Sequence, residues 1–129
     1  MSNKFTVEII TPDKSILNSE ATEVTIPSYE GQMGILKDHI PLITFLRPGV
    51  ISIQNQQEKK YFVEEGTVEF SNNNLLILTS TVKDLKELNQ NSIEDILSQT
   101  EKKLNDNNSS DKEKYLLSYK INTLKEISQ

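Results

Sequence analysis

Chemistry in this chain would have to come from very few residues. In 129 residues there is one histidine, His39, one arginine, Arg47, and no cysteine. Nucleophilic catalysis needs a hydroxyl with a base and an orienting acid. Asp38 adjoins His39, but sequence neighbours rarely point at each other, so His39 reads as a loop histidine bonded to backbone or to a partner. The absence of cysteine removes disulfides and thiolate metal sites, and a single histidine excludes a multi-histidine zinc site within the chain. Gly31 and Gly34 do not form a phosphate loop, because no Gly-Lys-Ser/Thr follows them. Glu64-Glu65 and Glu94-Asp95 could suggest two-carboxylate acid–base work. The first pair reads as opposite faces of a strand. The second reads as the first turn of a helix, where the macrodipole favours acids. Arg47 reads as a surface arginine ahead of a turn, Lys59-Lys60 as a solvated hairpin edge, and Tyr115 and Tyr119 as an i, i+4 stack within a helix. No catalytic residue, metal or cofactor is expected.

The elements that carry these residues fall into two compositional regions. All four glycines and all four prolines lie at or before Gly66, and none follows. A turn-rich region therefore precedes a helix-permissive one. The length suits one domain, or one compact domain with a small appendage, and allows a real core. Mean hydropathy is −0.49, low for a self-contained globule, which suggests polar helices or a surface against a partner. A net charge of −5 argues against nucleic acid as the main partner. The first ten residues contain no signal or transit pattern, and no apolar run approaches membrane-spanning length. The expected setting is cytosolic, or peripheral to a membrane through partners. Lysine outnumbers arginine thirteen to one, a bias attributable to codon usage in the source.

Short strands are expected over Phe5–Ile9, Ser15–Leu17, Thr22–Ile26, Val50–Gln54, Lys60–Val63, Thr67–Phe70 and Leu75–Leu78, with Asn55–Glu58 and Ser71–Asn74 as hairpin turns. The continuous Leu75–Leu78 suggests a strand covered on both faces. Between Pro27 and Val50 lies the organising stretch, PSYEGQMGILKDHIPLITFLRPGV. Gly31 and Gly34 bracket Gln32-Met33, a spacing that suits a tight reversal with positive φ or a close backbone approach. Lys37-Asp38-His39 reads as a polar loop, Leu42–Leu46 as an apolar run, and Pro48-Gly49 as a turn.

The last third changes period. Ser92, with Asp95 three residues on, reads as a capped helix start, and Ile93, Ile96, Leu97 and Leu104 form one helical stripe. Residues 105–109 break it. Ser110 and Glu113 repeat the capping relation, and Leu116, Leu117, Ile121, Leu124 and Ile127 form a second stripe. Two such helices, joined by a short polar loop, make an antiparallel hairpin. The fold class is thus an all-β sandwich over residues 1–86 followed by an α-helical antiparallel hairpin over 87–129, with Glu87–Asn91 as the linker. The hairpin is expected to pack through Ile93, Ile96, Leu97, Leu104, Leu117, Ile121 and Leu124.

The organising stretch resembles the epsilon subunit family of the rotary, F-type ATP synthase. Glu30, Gly31, Met33, Gly34, Ile35, Leu36, His39, Pro41, Leu42, Leu46, Pro48, Gly49 and Val50 fall on that family's pattern without a gap. The resemblance extends from about Phe5 through the helical third. It implies a non-catalytic rotor subunit that binds the gamma subunit and the ring of membrane c subunits, and helps couple proton flow to ATP synthesis. By position, Glu30, Gly31 and Gln32 match a loop facing the c ring. Thr11, His39, Ile40, Pro41, Leu42 and Thr44 match positions near gamma. The helices would reach the alpha and beta subunits and restrain ATP hydrolysis. The implied location is the cytoplasmic face of a bacterial inner membrane, peripheral and held through the complex.

The chain departs from the family at three places. Gln32 carries no charge. Glu65-Gly66-Thr67 stands where Gly-Gly-Phe is common. No arginine follows Arg47, so the ATP-binding motif found in the helices of some bacterial members is missing. Two other readings remain open at this level. One is a free-standing β-sandwich ligand-binding module with a helical tail, which would need a concave apolar pocket. The other is a small hydrolase using His39.

Overall fold

A computed structural model describes residues 3–128. Ten strands precede two helices. The strands are β1 (Phe5–Ile10), β2 (Ser15–Ala21), β3 (Glu23–Ser28), β4 (Gly31–Leu36), β5 (Leu42–Leu46), β6 (Gly49–Gln54), β7 (Glu58–Val63), β8 (Gly66–Ser71), β9 (Asn74–Leu78) and β10 (Val82–Asp84). They form two layers. One runs β10-β7-β6-β3-β4 and the other β5-β8-β9-β1-β2, joined where Ser28 of β3 pairs with Leu46 of β5. All pairings are antiparallel except β1 with β9.

Period-two alternation builds the core. Val7 and Ile9 of β1, Val24 and Ile26 of β3, Ile51 and Ile53 of β6, Val68 and Phe70 of β8, and Leu75 and Ile77 of β9 all point inward and bury in one cluster. The expected all-β sandwich is present, with longer strands than the sequence suggested. The Asn72-Asn73 turn is as expected, both residues having positive φ (50° and 59°), a conformation that asparagine tolerates.

Four local expectations need correction. The reversal at Gly31–Gly34 does not occur between the glycines. The hairpin turns at Tyr29-Glu30, closed by the Ser28 hydroxyl donating to the Gly31 carbonyl at 2.6 Å. Gly31 supplies the positive φ, 128°, while Gly34 is an ordinary strand residue. Second, Leu75–Leu78 is covered on one face only: Leu76 is half-buried and Leu78 is 43% exposed. Third, Glu64 and Glu65 belong to the connection between β7 and β8 rather than to a strand. Fourth, Glu87–Asn91 is not an open linker. Leu85–Glu87 forms a 3-10 turn capped by Asp84, whose carboxylate accepts from Lys86 N–H, and Gln90 already begins a helix.

That helix, α1, spans Gln90–Leu104, and α2 spans Asp111–Ile127. Asn89, not Ser92, caps α1: its side-chain oxygen accepts from Ser92 N–H at 2.8 Å. Glu94-Asp95 therefore lies beyond the first turn, which carries no acid. Ser110 caps α2 as expected, accepting from Glu113 N–H at 3.1 Å. The strand β10, which was not anticipated, pairs with β7 and delivers the chain to the helices. No helix among the described residues is long and apolar enough to cross a membrane.

Candidate functional site

The organising stretch occupies both ends of the β3–β4 hairpin. Glu30 and Gln32 are exposed at the Tyr29-Glu30 turn, with Gly31 between them. His39 sits beyond the other end of β4, about 17 Å away for six residues of strand. The histidine is held by its surroundings. Its backbone N–H donates to Leu36 O at 3.1 Å, Nδ1 lies 2.7 Å from Ile40 O, and the ring meets Phe70 edge-on at 5.9 Å. Asp38, at φ 66°, is fixed to the neighbouring turn by a reciprocal pair. Its N–H donates to Asn73 Oδ1 at 2.7 Å and its carboxylate accepts from Asn73 Nδ2 at 2.9 Å. Neither a hydroxyl nor a carboxylate is hydrogen-bonded to the His39 ring among the described residues, and no group of three or more His, Cys, Asp or Glu there could hold a metal. Thr11 is engaged in its own turn, its hydroxyl donating to Lys14 O and accepting from Lys14 N–H.

Strand alternation separates the remaining residues of the stretch. Leu42 is half-buried against the core, Thr44 is buried, and Leu46 is buried. Ile43 and Phe45 point the other way and are 76% and 56% exposed. They lie on the open outer face, Ile43 opposite Glu69 and Phe45 in an apolar row. Register places Phe45 opposite Thr67, Thr67 opposite Leu78, and Leu78 opposite Ile10. The Tyr29 ring lies 6.3 Å from that of Phe45. A groove of about 670 Å³ runs along this row, lined by Ile10, Pro12, Tyr29, Phe45 and Leu78, with Lys112 of α2 among its neighbours. Ile40, beside His39, is also largely exposed, and Pro41 is exposed. Reading period two through LITFL would have separated Ile43 and Phe45 from Leu42 and Thr44.

The outer face of the other sheet is covered in part, with Glu58, Lys60 and Leu36 on it still exposed. Phe62 of β7 points outward yet is only 1% exposed, because Ile93 of α1 and Leu124 of α2 bury it. Leu85, Leu88, Ile96, Leu97 and Ile127 pack around these three. Ile121 is buried as well, whereas Leu104 and Leu117 are half-buried towards the far end of the hairpin. Polar contacts border the seam. Arg47 lies 4.0 Å over the Tyr119 ring, which Tyr115 meets edge-on at 4.9 Å. Lys120 pairs with Glu64 at 2.5 Å, and the Thr123 hydroxyl reaches Pro48 O at 3.5 Å. Arg47 is therefore not a free surface arginine. Nothing in the sequence linked it to a helix seventy residues on.

Two tyrosines are perturbed here. Burial raises Tyr61 above the ordinary value of 10.0, and the carboxylates of Asp84 and Glu87 add to the rise. Tyr119 is also raised, first by its hydrogen bond with Tyr115 and then by desolvation, with Arg47 pulling the other way.

A sandwich with one outer face carrying an open apolar row and the other partly covered by its own helices has the architecture of an interaction module. Residues 4–84 match the family model described as ATP synthase, Delta/Epsilon chain, beta-sandwich domain. The chain is 45% identical over 130 residues to the ATP synthase epsilon chain of Pelagibacter ubique, covering 99% of this chain and all of the relative. It is 31% identical to that of Dichelobacter nodosus over 79% of this chain and 73% of the relative. Its fold is similar to a chain in the OSCP/F1/c-ring structure of the Euglena gracilis mitochondrial ATP synthase, with TM-score 0.83, 17% identity, and coverage of 100% of this chain and 84% of that one. A chain in the central stalk/c-ring structure from Tetrahymena thermophila gives TM-score 0.71 at 19% identity, with 96% of each chain covered. The chain belongs to the ATP synthase delta/epsilon chain family.

Proposed function

We propose that the chain acts as the non-catalytic epsilon subunit of an F-type, proton-translocating ATP synthase, in the central stalk. The observation that carries this reading is the open apolar face, with Tyr29, Ile43, Phe45 and Leu78 exposed on a folded sheet. Such a face costs solubility unless something covers it, and in this family the natural occupant is the gamma subunit. Thr11 lines the groove of this face, and His39, Ile40 and Pro41 precede β5. Leu42 and Thr44 act from beneath by setting the alternation that turns Ile43 and Phe45 outward. The exposed Glu30-Gly31-Gln32 turn is the contact offered to the c ring. The helices reach the alpha and beta subunits when they leave the sandwich, and restrain hydrolysis there. Membrane association comes only through the complex, on the cytoplasmic face of the bacterial inner membrane. Full-length similarity to an epsilon chain supports this assignment.

The test is co-elution with the gamma subunit of the same organism. The intact chain should co-elute, and Phe45→Glu should not, because it places a charge on the apolar row without touching the core. Failure of the intact chain to bind would return the groove to the reading of a ligand-binding module. ATP hydrolysis by the alpha–beta–gamma core, with and without the chain, reads the restraint.

A further inference from the structure

Few apolar side chains hold the hairpin to the sandwich. The buried apolar cluster at the seam is Phe62, Ile93 and Leu124, and the apolar residues packed around it are half-buried. The cation–π contact, the ion pair and the hydroxyl contact across the seam come from residues 119–123 of α2, little more than one turn. We propose that Arg47 is the clasp that sets the docked position of the hairpin, by laying its guanidinium on the face of Tyr119.

Both partners are positioned in advance. Arg47 begins the short connection between β5 and β6. Its N–H donates to Pro27 O at 3.0 Å, and the Pro48 that follows is buried. Gly49 then passes so close to Pro27 that a Cβ there would lie 2.5 Å from the ring. The backbone carrying the guanidinium therefore has little room to move. On the helix, the edge-on contact from Tyr115 and the 3.5 Å approach of the two hydroxyls fix the plane of Tyr119. The guanidinium sits 4.0 Å from the ring centroid, within cation–π range. Arg47 makes no ion pair among the described residues, so the ring is its principal partner. Composition adds an independent point. Thirteen of the fourteen basic residues are lysine, and the single arginine stands here. A planar cation that stacks is what this position uses and what lysine cannot supply.

The test is hydrogen exchange on the full chain, read by peptide mass spectrometry, across a cycle of Arg47→Gln, Tyr119→Leu and the double variant. Arg47→Gln is expected to speed exchange in α1 and α2 about fivefold while leaving β3 unchanged. Tyr119→Leu should speed it at least as much, because it also loses the Tyr115 contact, and the double variant no more than Tyr119→Leu alone, since the Arg47–Tyr119 contact is already gone. Tyr119→Phe keeps the ring face and should exchange like the parent chain. Parent-like exchange in Arg47→Gln, or effects that multiply in the double variant, would overturn the proposal. Should Arg47→Gln also loosen β3, the decision passes to the helix-side pair. Tyr119→Leu faster than Tyr119→Phe sustains the clasp, and equal exchange in the two removes it.

Discussion

Phe62 and Phe45 both point outward from the sandwich, one from each sheet, yet the first is 1% exposed and the second 56%. The difference is that α1 and α2 lie over one sheet and not the other. The covered face uses a small apolar centre bordered by a cation–π contact and an ion pair. The open face carries an apolar row with Glu65 and Lys112 at the groove and Glu69 beside Ile43. A face closed by the same chain needs little affinity, because the linker keeps its cover at high effective concentration. A face meant for a separate molecule lacks that advantage and must present larger apolar area.

The widest gap between the two faces should appear in stability. Phe62→Ala removes a ring buried among Ile93 and Leu124 and is expected to cost about 3 kcal/mol or more. Phe45→Ala removes a ring already in solvent and should stay within about 0.5 kcal/mol. Urea unfolding of the two variants compares them directly. Similar losses would mean that the faces do not differ as the burial says. Binding should reverse the order. Phe45→Ala is expected to weaken association with gamma by about 2 kcal/mol, roughly thirtyfold in Kd. Phe62→Ala should leave it nearly unchanged in the folded fraction. Isothermal titration against purified gamma subunit would measure both.

The contrast also explains what was legible in the sequence. The alternating strands, the Asn72-Asn73 turn and the Ser110 cap all rest on local chemistry, and local reading found them. Coverage is not local. Leu75–Leu78 reads as the doubly buried strand because it is continuously apolar, while the strand covered on both faces is Tyr61-Phe62-Val63, preceded by two lysines. What decides between them is where α1 and α2 settle, and that depends on residues far away in the chain. Arg47 with Tyr119 and Glu64 with Lys120 escaped notice for the same reason. At the open face the missing step was smaller. In β5 the exposed side chains are the alternate ones, Ile43 within the His39–Thr44 stretch and Phe45 just after it.

A smaller effect should sharpen the description of the covered face. The Glu64–Lys120 pair keeps 33% and 15% of its side-chain surface, so solvent screens it in part. Lys120→Met is expected to cost about 0.5–1 kcal/mol at low salt, and less as salt rises. Thermal unfolding at two ionic strengths would show it. A loss independent of salt would assign the effect to the packing of the lysine stem instead.

The smallest effect follows from Tyr61, behind the covered face. Burial raises its pKa first, and Asp84 and Glu87 add to that rise by disfavouring the phenolate. The folded chain therefore holds this proton above the ordinary tyrosine value of 10.0, where the unfolded chain has released it. The folded state then binds more protons than the unfolded state, so stability falls as pH rises through that window. The contribution is fully present below the ordinary value and is lost towards the raised one. Tyr61→Phe keeps the ring and removes the ionisation. The variant should match the parent near neutral pH and lose less stability between about pH 9.5 and about pH 11. Tyr119, raised as well, titrates in both chains, so the difference between them isolates Tyr61. Parallel losses in the two chains would show that the Tyr61 hydroxyl reaches water on unfolding no more than it does in the fold, and would move the alkaline sensitivity to the helix face.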